Sequence, residues 1–182
     1  NETLNFFMSL LRKNRSARNF VESNFTMLNE PLARHYGIED VLGYNFREVA
    51  LPTESHRGGL LTQGSMLLTN STGEDSHPIK RAVWLRRRLL DDPPAPPPPN
   101  VPELASENPD FAKLSIRKQL EIHLEDPACA SCHRDIDPWG IAMEGFDAIG
   151  LPREKILSIG TRGRKQHPVV QNVEIDGTKI NG

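Results

Sequence analysis

A chain of 182 residues carrying 22 basic and 24 acidic side chains is long enough to bury a core in one domain or two small ones. Hydrophobic residues make up 37%, below the globular average of about 45–50%, so the chain reads as globular and loop-rich. A net charge of −2, with no basic run longer than Arg86-Arg87-Arg88, argues against nucleic-acid binding, and no apolar stretch approaches the ~20 residues of a membrane span.

Residues 1–92 read as a helical region. Leu4, Phe7, Met8 and Leu11, then Phe20, then Leu28, Leu32 and Tyr36 recur at helical spacing. Ser16 can cap a helix through Phe20, Asn29 before Glu30-Pro31 marks another start, and Gly37 its end. A short strand is expected at Phe46–Leu51, a helix at Leu60–Leu68 and another at Pro78–Leu90, the last with Ile79, Val83 and Leu90 on one side and its arginines on the other. Residues 93–114 open with Pro93-Pro94-Ala95-Pro96-Pro97-Pro98-Pro99, which neither helix nor central strand accommodates. A polyproline II strap is expected there, a stiff spacer in preference to a docking site for a proline-recognition module. Ser115 caps a helix with Ile116, Leu120 and Leu124 on one face, which Pro127 stops. In the polar tail, 152–182, Val169, Val170, Val173 and Ile175 suggest a strand and Asp176-Gly177 a turn. The fold class this implies is mainly α with much irregular structure, the proline strap lying between the helical region and a small module at 115–151. The start at Asn1, without Met or a signal-like segment, suggests a processed product or fragment.

The chemistry concentrates at Cys129-Ala130-Ser131-Cys132-His133, which contains both cysteines of the chain. Two thiols one helical turn apart suit thioether bonds to the two vinyl groups of a haem, and the adjacent imidazole suits the proximal position on iron. A thioredoxin-like pair would need a βαβ setting that does not precede Cys129. A zinc site built from Cys129, Cys132, His133 and His123 lacks a second ligand pair, and a disulfide here would close too small a loop to stabilise much. Covalent haem c is therefore the favoured cofactor, one per chain. Leu120, Leu124, Ile136, Trp139, Ile141, Met143, Phe146 and Ile149 supply the apolar surroundings such a disc needs. Asp137-Pro138 and Gly140 are expected to break the helix, so that the chain turns after His133 and offers a backbone carbonyl to the other ring nitrogen.

Cys129 to Gly150, CASCHRDIDPWGIAMEGFDAIG, resembles the haem module of planctomycete-type cytochrome C proteins, CxxCH followed by DPxGxAxExFDxxG. Upstream matches in the family's order are NEPLARHYGI from Asn29, RGGLLTQGSMLLTNS from Arg57, SHPIKRAVWLRRRLL from Ser76, PPAPPPPNVPEL from Pro93 and SIRKQLEIHLEDPACASCH from Ser115. The resemblance implies the C-terminal portion of a large, secreted, multidomain bacterial protein, and it fades after Gly150, where Leu151-Pro152-Arg153 departs from the family's aromatic and Arg.

The sixth iron ligand decides the chemistry. Candidates are His123, Met66, Met143 and His167, and an open site would permit peroxidase or oxidase reactions. Arg117, Arg81 and Arg134 are candidates to neutralise propionates. Glu144 and Asp147 read as helix-surface or loop-capping residues in preference to a catalytic pair, and His35 as a packing residue. Expected partners are an unidentified redox protein and other domains of the parent chain, with neither nucleic acid nor a membrane span. Covalent haem assembly further implies a periplasmic or cell-surface location. The reading is an electron-transfer module, with an open-site haem enzyme or a non-haem interaction module as its rivals.

Overall fold

Asn1 precedes α1 (Glu2–Arg12). In this computed structural model, which describes residues 1–97, 111–160 and 163–181, a 3₁₀ turn (Ala17–Phe20) follows, with the Ser16 side chain accepting from the Arg18 amide. Then come β1 (Phe25–Leu28), α2 (Glu30–Tyr36), β2 (Arg47–Ala50) and α3 (Gly64–Thr69). Together with Phe146–Pro152, residues Asn1–Ser76 make one compact unit. The caps read from sequence organise α2: Asn29 accepts from the Leu32 amide, Pro31 sits in the first turn, and Gly37 closes the helix at φ +70°. Strands β1 and β2 are antiparallel, in register from Phe25 opposite Ala50 to Leu28 opposite Arg47. Leu28, Ala33 and Val41 form a core cluster, with Leu32, Tyr36, Ile38 and Val49 packed against it.

The buried face of α1 is Glu2, Phe6, Ser9 and Leu10, while Leu4 and Leu11 are exposed. Apolar periodicity alone misplaces this stripe because two of its four members are polar. Their partners explain it: Glu2 receives the Thr26 hydroxyl at 2.8 Å and the Tyr36 hydroxyl at 2.6 Å, and Ser9 donates to Glu48. Strand β1 is buried at all four positions and so carries no alternating pattern to reveal it.

The second unit comprises His77–Gly145 and Arg153–Gly182. It holds α4 (Pro78–Arg88), α5 (Ile116–His123) and α6 (Pro127–Ala142). Two antiparallel hairpins complete it, β3 (Lys155–Gly160) with β4 (Gly163–Pro168) and β5 (Val173–Ile175) with β6 (Thr178–Ile180). Ser115 caps α5 as its sequence implies, and Asp176-Gly177 turns between β5 and β6, both at positive φ. Helix α6 packs on α4 through Gly140. A Cβ there would lie 2.2 Å from the Pro78 carbonyl oxygen, so only glycine permits the approach.

Several expectations are corrected. Leu60–Leu68 is not one helix: a 3₁₀ turn at Leu60–Thr62 is separated from α3 by Gln63 in an extended conformation. The hairpin β3–β4 was not foreseen, because a tail rich in charged residues shows little apolar alternation. Pro127 does follow the end of α5, but it also opens α6 at the position where its missing N–H costs nothing, with Asp126 accepting from the Ala128 amide. The expected break at Asp137-Pro138 and Gly140 does not occur, since α6 continues to Ala142 with Pro138 inside it. The lost backbone bond is offset by a side-chain bond across one turn, His133 to Asp137, and by the packing at Gly140. Residues 93–97 carry neither helix nor strand, and the rest of the expected proline strap, 98–110, lies outside the described residues. Among the described residues, helices thus share the fold with three small antiparallel sheets, and no helix is long and apolar enough to cross a membrane.

Candidate functional site

The first half of α6 carries the two thiols and the imidazole. Positions 129, 132 and 133 are spaced i, i+3 and i+4 and therefore share one helical face. That face continues through Ile136 and Gly140, which are buried. Cys129 is half-buried, Cys132 is exposed, and both thiols are free, not joined to each other. His133 is 21% exposed. Its Nδ1 lies 2.8 Å from Oδ1 of Asp137, one turn further along.

Asp137 is the residue the sequence reading missed. In the sequence it belongs to an expected helix break, and the expected partner of the His133 ring is a backbone carbonyl. Instead the partner is a buried carboxylate, 2% exposed, whose second oxygen, Oδ2, has no hydrogen-bond partner among the described residues. Burial raises its pKa above the usual 3.8, and the bond to His133 opposes that rise. The i,i+4 spacing of His133 and Asp137 was the available signal. It becomes informative only once the helix is known to run through Pro138.

Helix α5 supplies the neighbours. The His123 ring stands edge-on against His133, with centroids 4.6 Å apart and planes at 83°. Its pKa is lowered from 6.5, first by burial and then by the nearby His133. His123 thus stands directly beside His133 at the α5–α6 contact. A cleft of about 190 Å³ is lined by Arg117, Leu120 and Leu124 of α5 and by Arg134, Asp137, Pro138 and Ile141 of α6, among others. Arg117 donates to the Asn172 carbonyl and to Glu121.

The remaining residues singled out from sequence have the following local settings. Trp139 is half-buried on α6. Met143 is buried just beyond the end of α6, and its carbonyl accepts from Arg81 at 3.0 Å. Arg81 is wholly buried and also reaches Glu144, so it is a core residue and not a surface arginine awaiting a propionate. Glu144 additionally receives Arg153 at 2.8 Å. Asp147 accepts from the Ile149 and Leu151 amides, a loop-capping role. Phe146 and Met66 are buried in the first unit, Phe146 beneath the Arg57 guanidinium and Met66 in α3. His167 shares a hydrogen bond with the Lys113 carbonyl, and His35 with the Ile149 carbonyl. Within the second unit, then, His123 stands against His133, and Arg117, Arg134, Leu120, Leu124 and Ile141 line one cleft with Asp137.

Both parts of the chain match planctomycete cytochrome C-associated domains. Residues 57–156, more than half of the chain, match PSCyt3, a protein of unknown function (DUF1588), and the chain belongs to that family. Residues 1–38 match PSD4, likewise a protein of unknown function (DUF1592). No curated protein matches the chain. No solved structure matches it either.

Proposed function

We propose that α6 carries a covalently attached haem c and that the chain serves as an electron-transfer module of an extracytoplasmic oxidoreductase. The observation that carries this reading is the donor set on α6: two unpaired thiols and an imidazole on one helical face, with the imidazole's Nδ1 already engaged and its Nε2 left for a metal. That set fits the group. Cys129 and Cys132 would form the thioethers and His133 would be the proximal ligand. Leu120 and Leu124 of α5 line an apolar cleft together with Asp137 and Ile141 of α6. A haem held in this way supplies a one-electron Fe(III)/Fe(II) couple. Membership in a family of cytochrome C-associated domains supports the same reading. Because covalent attachment takes place outside the cytoplasmic membrane, a periplasmic or cell-surface location goes with it.

The test is expression of the full chain in a bacterial host with the haem c maturation machinery, followed by intact mass and a pyridine haemochrome spectrum. One haem per chain is expected, lost when Cys129 and Cys132 are both replaced by Ala. A chain that stays at its apo mass while a control cytochrome matures in the same cells would falsify the proposal.

A further inference from the structure

We infer that Asp137 is a positioning residue for the His133 imidazole: its carboxylate accepts the hydrogen bond from Nδ1–H, leaves Nε2 as the ligating nitrogen, and makes that nitrogen more electron-rich. The premise is the geometry, and the consequence for a redox couple rests on the haem reading above. The contact is 2.8 Å long, and both side chains stand on one helix a single turn apart, so regular backbone sets their spacing with no loop involved. Asp137 is 2% exposed, and its other oxygen meets no donor among the described residues.

The groups facing the pair are His123 from α5, edge-on to His133, and the charged side chains that line the same cleft as Asp137, which are Arg117 and Glu121 of α5, Arg134 of α6 and Glu174 of β5. A backbone carbonyl in this place would also fix the tautomer, but it carries only a partial charge. A carboxylate out of bulk water draws the Nδ1 proton more strongly, makes Nε2 the more basic donor, and favours the ferric over the ferrous state. Asp137 therefore does two things, orienting the ring and setting the potential low.

Asp137→Asn separates them, because the amide keeps the shape and the accepting oxygen and removes the charge. Haem loading is expected to equal that of the wild type, and the midpoint potential to rise by a tenfold or larger change in the reduction equilibrium, about 59 mV for one electron. Equal loading with an unchanged potential overturns the inference. A second measurement needs no haem: nitrogen-15 NMR of the His133 ring in the full apo chain, at a pH where the imidazole is neutral. The Nδ1–H tautomer is expected in the wild type and the Nε2–H tautomer in Asp137→Ala. An Nε2–H tautomer in the wild type overturns the assignment. If the tautomers behave as expected but neither chain takes up haem while a control cytochrome does, the haem reading fails and the pairing of Asp137 with His133 stands.

Discussion

Each unit of the molecule buries a carboxylate beneath a helix, and the two are finished differently. In the first, both oxygens of Glu2 are used: Oε1 accepts from Thr26 and Oε2 from Tyr36, while the Tyr36 oxygen in turn accepts from the Gly64 amide. The Arg57 guanidinium lies 3.6 Å from the centre of the Tyr36 ring and donates to the Thr62 and Gly150 carbonyls. In the second unit Asp137 uses one oxygen on His133, and the other has no partner among the described residues. Burial pushes the pKa of both carboxyls upward. The completed cluster behaves as architecture, tying α1 to β1, α2 and the start of α3. The half-completed one is centred on the imidazole of the cysteine motif, which is where a function would draw on it.

The contrast makes graded predictions. The largest effect belongs to a third buried carboxylate, Glu144, which is satisfied by two cations. Glu144→Ala leaves the wholly buried Arg81 and the nearly buried Arg153 without their carboxylate, and a loss of about 3–5 kcal/mol is expected in urea unfolding. Glu2→Ala strands two hydroxyls in the first unit and is expected to cost about 2 kcal/mol. Glu2→Gln tests the electrostatic part through pH. Since burial holds the Glu2 carboxyl above its ordinary 4.5, the native chain keeps that proton to a higher pH than the unfolded chain does. The contribution is present in full below 4.5 and is lost as pH rises through the raised native value. The Tm of the wild type relative to Glu2→Gln should therefore fall as pH is raised from 4.5, and a constant difference would show that Glu2 titrates normally.

How much of this was legible in the sequence depends on what kind of signal each element emits. Local stereochemistry was readable: Asn29, Pro31 and Gly37 bounded α2, Ser115 started α5, and Asp176-Gly177 turned the last hairpin. Burial was less so wherever polar side chains face inward, because Glu2 and Ser9 interrupt the apolar stripe of α1 and their partners lie 24 to 39 residues away. The breaker rule failed at Pro138 for a related reason. Proline and glycine weaken a helix locally, but the fit of Gly140 against Pro78 of α4 is a tertiary contact that no local window contains. The cysteine motif was plain in the sequence. Its partner Asp137 was hidden by the same failed rule, since an i,i+4 pair exists only on a helix that continues.

The smallest predicted effect is the most discriminating. Asp137→Asn should leave unfolding within about 1 kcal/mol of the wild type, because one oxygen still accepts from the His133 ring and the new amide group replaces an oxygen that had no partner to lose. The substitution also removes a carboxyl that burial already disfavours in its charged form, which offsets part of any loss. Glu2 has no such freedom: whichever way the side-chain amide of Glu2→Gln is turned, one of the two hydroxyls that donate to Glu2 must find another acceptor or reverse its role. The ordering, a costly change at residue 2 and a nearly silent one at 137, can be read from two urea curves on the haem-free chain. A loss at Asp137→Asn as large as that at Glu2→Ala would make Asp137 a strut of α6 and remove the contrast between the two units.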